Sequence, residues 1–249
     1  MKSNSRSLLL LLYPTSASQD LFVTTKKARF LLPDMTAGGV RSLLHYLEKE
    51  NYLSSERLVS ETRYYLTEAG KRKLEQLFPA LDPEWASYDG TWHCIVFQTA
   101  PKGDPQFRYL RSQVIKEKAL QLSRGVYCVP RAFSDDFVSL CSKIYAQSVA
   151  LFSVSKWELG FERGVITRKL ALSDIATTYS GVSSEIDELL ASREQKRTLT
   201  DQQKKQFLSV FDRFRDVLAE DGGVISYYYP TVPTATQILA QLQRVLSKI

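Results

Sequence analysis

The feature that most constrains the fold is an unbroken run of leucines at residues 8–12, which Tyr13 and Pro14 bring to an end. Basic residues before the run and small residues after it also give the outline of a secretory signal. The run is shorter than the roughly 7–15 residues that the hydrophobic region of a signal needs, and the proline follows at once. We therefore interpret residues 8–12 as the first core helix of a small domain, with export as the alternative.

Cysteine spacing and hydropathy favour a cytoplasmic protein. The cysteines are odd in number, far apart and without CxxC spacing, which is typical of free thiols in a reducing compartment. They are Cys94, Cys128 and Cys141. No stretch of the sequence approaches the ~18 apolar residues that cross a bilayer, so we expect no membrane partner.

The composition allows several modest domains and a polyanionic partner. The chain has 249 residues, 44% of them hydrophobic, and a formal net charge of +6, so it can bury one large core or a few small ones. Residues 81–84 with Pro79 form a short acidic stretch that is typical of a linker. We divide the chain into three domains, 1–80, 88–160 and 161–249. The first is basic, which is compatible with binding nucleic acid.

Residues 1–80 have the element order of a winged helix-turn-helix. After the leucine helix the sequence predicts a short helix, a longer helix, two strands of a hairpin and a basic helix, at residues 24–32, 36–51, 52–53, 63–66 and 67–77. The longer helix has apolar residues at the spacing of one buried face, namely Val40, Leu43, Leu44 and Leu47. A recognition helix needs such a face, because its other side enters the major groove of DNA.

The opposite face of the longer helix carries the candidate contacts to double-stranded DNA. They are Thr36, Gly38, Arg41, Ser42 and His45. Arg41 is the best placed for bidentate hydrogen bonds to guanine. Gly38 lowers helix propensity by ~1 kcal/mol relative to alanine, which is unusual unless the backbone must approach a bulky group such as phosphate. Alternatively, the glycine marks a late helix start and Arg41 is solvated.

Basic residues beside this helix are predicted to contact phosphates. Such contacts position a domain on the duplex without reading its sequence. The candidates are Lys26 and Lys27 on the short helix, and Arg57 and Arg63 on the hairpin.

The rest of the chain predicts an α+β domain followed by helices. Strands and helices alternate in residues 88–160, with a further short strand expected around 119–124 and the first helix expected over 105–122. This order is typical of a ferredoxin-like sandwich. Residues 161–249 carry apolar positions at helical spacing. The expected fold class is α+β, with an N-terminal winged helix-turn-helix, a central ferredoxin-like sandwich and a C-terminal helical domain.

Several of these segments together resemble a known family. Residues 7–10, 40–44, 63–70, 88–92 and 125–131 resemble the PaaX-like family of transcriptional repressors, named for phenylacetic acid degradation. In that family the central domain is similar to the small ferredoxin-like CRISPR-associated endonuclease of spacer integration. The resemblance covers nearly the whole chain and is weakest in its last third.

The resemblance implies a repressor that works as a homodimer and is released by a small effector, in the founding case an aryl-coenzyme A thioester. Because two-fold proteins meet two-fold sites, we expect an inverted-repeat operator. The chain has His45-Tyr46 where the family more often has Ser-Arg, so its operator should differ. A nucleic-acid-binding adaptor without an effector is a further interpretation.

The effector, an acyl-coenzyme A or an aromatic acid, is expected between the central sandwich and the C-terminal helices, because clefts between domains are usual ligand sites. Tyr227 and Tyr228 follow two glycines and would supply an aromatic wall. Arg108 and Arg111 on the central helix would meet an acidic group. Alternatively, the tyrosines pack the last helix onto the body and the arginines are solvated.

A metal-dependent nuclease is the alternative function, because the central domain looks like one. That pattern places an acidic residue after the first strand, where two subunits hold Mg²⁺ between paired carboxylates. This chain has Gln98 there, and a neutral amide is a poor substitute. GxSxG, a P-loop, GxGxxG after a strand and HExxH are missing from the sequence. We expect no catalysis, no bound metal and no cofactor.

Overall fold

The protein is a mixed α+β structure whose first part combines helices with a small sheet. The computed structural model describes residues 1–15, 21–99, 104–191 and 199–247. Its first elements are α1 (Ser3–Leu10), β1 (Val23–Thr24), α2 (Thr25–Leu31), α3 (Ala37–Lys49), β2 (Leu53–Arg57), β3 (Thr62–Leu66) and α4 (Glu68–Leu77). Strand β3 lies between β1 and β2, and both pairings are antiparallel.

Helix α3 lies where the apolar spacing predicts it. The Thr36 hydroxyl accepts a hydrogen bond from the Gly39 N–H at 3.1 Å and so caps the helix. One face is buried, through Val40, Leu44 and Leu47. The remaining surface of α3 is therefore the part available to a partner.

The hairpin after α3 is longer than the sequence predicts. Leu53 pairs with Leu66, and pairing continues to Arg57 opposite Thr62. The Leu58 N–H donates to the Glu61 carbonyl at 2.9 Å and closes the tip. Only the first residue of β2 is buried. An exposed strand lacks the apolar alternation that identifies strands in a sequence, so the sequence predicts only residues 52–53 of this strand.

The middle of the chain forms a second, four-stranded antiparallel sheet. Its elements are α5 (Pro83–Ala86), β4 (Trp92–Phe97), α6 (Pro105–Lys116), β5 (Leu120–Ser123), β6 (Val126–Val129), α7 (Asp135–Ile144) and β7 (Val149–Val154). The strand order is β5-β6-β4-β7. The short strand expected around 119–124 is confirmed as β5. Helix α6 ends before residue 122, because Lys118 adopts a φ of 61° and turns the chain into β5.

The two faces of this sheet belong to different cores. Side chains alternate along β4, so Ile95 and Phe97 lie on one face, whereas Trp92 and Cys94 lie on the other. The first pair packs with residues of α6 and α7, namely Leu110, Val114, Phe137 and Cys141. The second pair belongs to the main core, together with the N-terminal and C-terminal helices. This division decides which helices are able to line a common pocket.

The last part of the chain is helical, as its spacing predicts. Its helices are α8 (Glu162–Lys169), α9 (Leu172–Ala191), α10 (Asp201–Glu220), α11 (Ile225–Tyr228) and α12 (Ala235–Leu246). Capping boxes begin α10 at Thr200 and α12 at Thr234, each with a glutamine three residues later. Within the described residues, no helix combines the length and the apolar character needed to cross a membrane.

Residues 8–12 lie in the main core beneath the C-terminal helices. Their exposed fractions run from 0 to 4%. Gln243 of α12, which is itself buried, donates through Nε2 to the carbonyl oxygens of Leu11 at 3.3 Å and Tyr13 at 2.7 Å. The leucine run is therefore part of a core helix and the turn that follows it.

Two further contacts join the beginning of the chain to α10. The ring of Phe30 in α2 lies 5.8 Å from the ring of Phe207, centroid to centroid. Arg215 Nη1 donates to the Ser7 hydroxyl at 3.0 Å. The helices that lead to the first sheet thus share one core with the last helices of the chain.

Replacing Gln243 by alanine should lower the free energy of unfolding by about 2–3 kcal/mol, because two buried carbonyls lose their donor. Arg244 is exposed on the next position of the same helix, and its replacement by alanine should change stability by less than about 0.5 kcal/mol. Urea unfolding of both variants measures the difference. Equal effects would show that Gln243 does not hold the N-terminal segment.

Candidate nucleic-acid interface

The candidate base-reading residues share one exposed surface at the start and middle of α3. Gly38, Arg41, Ser42 and His45 are all exposed, and so is the capping residue Thr36. The structure therefore brings together the five positions that were predicted on this helix. The surface is larger than predicted, because the side chain of Tyr46 is also 47% exposed.

Gly38 has no role in the packing of its own chain. A Cβ atom built on it meets no heavy atom within 4 Å, and its backbone is helical. A Cβ atom on Gly39, in contrast, would lie 3.3 Å from Met35 Cε and from the Thr36 hydroxyl oxygen. The absence of a side chain at Gly38 leaves the first turn of α3 open to a large external group.

The four predicted phosphate contacts fall into two pairs. Lys26 and Arg57 are exposed. Lys27 and Arg63 instead gather at Phe22, with Lys27 Nζ 5.8 Å and the Arg63 guanidinium 4.3 Å from the ring centroid. Such cation–π contacts tie α2 to the hairpin.

The pair at Phe22 is less available to phosphate than the exposed pair. Arg63 Nε makes an ion pair with Glu61 Oε1 at 2.9 Å, which offsets its charge. Burial lowers the pKa of the Lys27 ammonium. These two side chains position the hairpin, whereas Lys26 and Arg57 remain on the surface.

Close packing fixes the hairpin against α4. A Cβ atom on Gly70 would lie 2.4 Å from the Tyr52 carbonyl oxygen and 2.7 Å from Leu66 Cδ1. Thr67 adds two hydrogen bonds, donating to the Asn51 carbonyl at 2.5 Å and accepting from the Gly70 N–H at 3.1 Å. The base of the hairpin is thus rigidly placed beside the end of α3.

The tip of the hairpin, which lies between the two predicted strands, carries apolar side chains. Leu58 is 39% exposed and Val59 is fully exposed. Their signal in the sequence was two adjacent apolar residues between Arg57 and Ser60. Two apolar side chains at the tip of the hairpin are therefore exposed to solvent.

The four residues proposed for an effector do not form one pocket. Arg108 and Arg111 are exposed on α6, which covers the sheet face of Ile95. Tyr228 is buried in the main core, on the side of Trp92. Because side chains alternate between the two faces of β4, the helix that carries the arginines and the helix that carries Tyr228 lie on opposite faces of the sheet.

The tyrosines form an aromatic cluster with the start of the central segment. The ring of Tyr88 lies 4.9 Å from Tyr227, 6.3 Å from Tyr228 and 5.2 Å from Trp92. Burial raises the pKa of Tyr88 and of Tyr228 above the ordinary tyrosine value. The Tyr228 hydroxyl donates to the Glu162 carboxylate. Tyr228 therefore packs α11 onto the body, and Tyr227 remains 48% exposed.

Gln98 follows β4 directly and is exposed. Its N–H donates to the Ser148 carbonyl at 2.9 Å. Across the ranges that the structure describes, no three His, Cys, Asp or Glu side chains gather closely enough to hold a metal ion.

The chain was compared with protein families, curated sequences and solved structures. No protein-family model matches the chain, and no curated protein sequence does. Among solved structures, the chain is similar to the uncharacterized protein Rv0674 from Mycobacterium tuberculosis, with a TM-score of 0.48, 15% sequence identity and coverage of 99% of each chain.

The two glycines of this region should respond oppositely to a methyl group. Gly38→Ala should raise the free energy of unfolding by about 0.5–1 kcal/mol, because alanine is the better helix former and meets no neighbour. Gly70→Ala should lower it by about 1–3 kcal/mol, since the methyl group overlaps the hairpin. Urea unfolding tests both. A loss of stability in Gly38→Ala would mean that the glycine serves the fold itself.

Proposed function

We propose that the protein is a sequence-specific transcriptional regulator of the repressor type, which binds double-stranded DNA as a homodimer at an inverted repeat. In this proposal the first part of the chain is a winged helix-turn-helix, the four-stranded middle part is a ferredoxin-like sandwich, and the last part is a helical domain. The chain acts in the cytoplasm. The single observation that carries the proposal is the exposed surface of Gly38, Arg41, Ser42 and His45 on a helix whose other face is buried.

The proposed mode of binding places α3 in the major groove. Arg41 donates two hydrogen bonds to one guanine, the most common specific contact of this kind. Ser42 and His45 lie within reach of neighbouring base edges. The bare backbone at Gly38 comes close to a phosphate, in agreement with the open space around it.

The hairpin and α2 position the helix on the duplex. Lys26 and Arg57 contact phosphates from either side of α3. Lys27 and Arg63, held at Phe22, keep the hairpin in the orientation that the groove requires. In a homodimer the two copies of α3 face half-sites that are separated by whole helical turns.

Nucleic-acid cleavage is not part of the proposal. A Mg²⁺ ion between two subunits needs anionic oxygen ligands, and Gln98 offers one neutral carbonyl oxygen. The proposal includes release from DNA by a small effector. Such an effector must bind one arrangement of the protein more tightly than the other, because a ligand that binds both equally shifts nothing.

The first test of this function is selection of bound duplexes from a random pool, followed by titration of variants on the selected site. Arg41→Ala should weaken that site by ~1–3 kcal/mol and relax its base preference. Lys26→Ala, the matched control, should weaken all duplexes alike and reduce the salt slope by about 1. The Gly38→Ala variant should be more stable than the unchanged protein, yet it should bind the selected duplex about tenfold more weakly. Equal affinity for random and selected duplexes at about 0.15 M salt contradicts the proposal.

The second test concerns catalysis. The pure protein, incubated with Mg²⁺ or Mn²⁺ and with labelled RNA, single-stranded DNA or duplex DNA, should leave every substrate intact, because no carboxylate stands at the position of Gln98. Gel electrophoresis of the products measures this. Metal-dependent cleavage that disappears in Gln98→Ala would contradict the proposed function and show that the protein is a nuclease.

A further inference from the structure

Strand β7 forms one edge of the four-stranded sheet, and its outer side is open to solvent. Within the described residues it pairs only with β4. The side chain of Phe152 is 47% exposed, and Ser153 is exposed beside it. The edge of a sheet presents backbone N–H and C=O groups that have no strand partner, and these groups are a template for a further strand.

The other sheet edges of the described residues are protected against such pairing. Strand β1 is only two residues long, and β2 carries Glu56 and Arg57 at its exposed end. Strand β5 has an irregular register between Gln121 and Ser123, and Lys169 Nζ donates to the Gln121 carbonyl at 3.0 Å. Short strands, charged side chains and bulges are the usual ways in which proteins block an edge.

Strand β7 has none of these protections. Residues 144–155, which include the whole strand, contain no charged residue and no proline. The register with β4 continues over six residues without a bulge. Two copies of such an edge can approach each other without repulsion between like charges, so a second copy of this chain is a suitable partner.

The alternation of hydrogen bonds along β7 determines which backbone groups face outward. The Gln98 N–H donates to the Ser148 carbonyl at 2.9 Å, which makes these two residues a hydrogen-bonded pair at the end of the β4–β7 ladder. Such pairs recur at every second residue of an antiparallel ladder. The even-numbered residues of β7 therefore bond to β4, whereas Leu151 and Ser153 direct their N–H and C=O groups away from the sheet.

We propose that β7 pairs with β7 of a second copy, antiparallel about a two-fold axis at Phe152, and joins the two four-stranded sheets into one. Leu151 of each copy pairs with Ser153 of the other, and each pair exchanges both N–H···O bonds. The two Phe152 side chains meet at a non-hydrogen-bonded position, where facing residues lie closest. The need for two copies rests on the proposed function, and β7 is the surface at which they meet.

The free backbone groups select this register. An axis at Leu151 would pair Ser153 with Val149, whose N–H already donates to a carbonyl of its own chain at 3.1 Å. An axis at Ser153 would pair Leu151 with Ser155, which lies beyond the end of the strand. An axis at Phe152 uses only groups without a backbone partner within the described residues. It also covers the exposed phenylalanine ring.

Disulfide cross-linking of the full chain tests the register. Phe152→Cys places two thiols opposite each other, at a Cα separation of about 4.5 Å, which a disulfide can span. Ser153→Cys is the matched control on the same strand, because its two copies lie on a diagonal about 7–8 Å apart. With diamide as the oxidant, Phe152→Cys should form a linked dimer at least roughly tenfold faster than Ser153→Cys. Non-reducing gel electrophoresis measures both rates, and the three natural cysteines are buried.

Sedimentation velocity without DNA, over about 1–100 µM protein, measures association that needs no cross-link. The unchanged protein should form a dimer. Ser153→Pro removes an outward N–H and should weaken the dimer at least roughly tenfold, whereas the edge position allows the variant to fold. Ser153→Ala is the matched control. It loses the same hydroxyl contact with His93 Nδ1, at 3.0 Å, but keeps the N–H, so it should dimerise as the unchanged protein does.

Three results would overturn the interface. They are a monomer at every concentration, equal cross-linking of the two cysteine variants, and an unchanged dimer in Ser153→Pro. Circular dichroism melting shows whether Ser153→Pro is folded, and the cysteine variants decide the question if it is not. A dimer that survives Ser153→Pro contradicts β7 pairing and leaves the proposed homodimeric regulator in place. Equal affinity for random and selected duplexes contradicts the proposed function and leaves β7 pairing in place.

Discussion

The burial of residues 8–12 beneath the last helices is the contact on which the rest of the structure depends. It places the first helix in a core that also holds α10 and α12, so the N-terminal sheet has no separate hydrophobic centre of its own. Gln243 makes the contact specific, because its amide satisfies the carbonyls of Leu11 and Tyr13 where α1 has ended. The surface of α3 is consequently presented by a body that includes both ends of the chain.

Features that local chemistry decides were predictable from the sequence. The spacing of Val40, Leu44 and Leu47 determines which side of α3 is buried, and hence which side is exposed. The cap at Thr36 marks where that helix begins. The strand at 120–123 was expected from the alternation of strands and helices around it.

Features that distant contacts decide were not predictable. The sequence predicts that Arg63 is an exposed cation, but its guanidinium pairs with Glu61 and lies over the ring of Phe22. Arg108 and Tyr228 were expected to share a pocket, although strand alternation places their helices on opposite faces of the sheet.

The shared core has a consequence for the newly made chain. Leu11 and Gln243 are separated by 232 positions, and ribosomes add roughly 5–20 residues each second. The leucines therefore wait on the order of ten seconds or more for the helix that covers them. During that interval residues 8–12 form an exposed apolar segment of the growing polypeptide, which is a surface that chaperones bind. Completion of α12, and not of α3, is therefore the event that removes these leucines from solvent.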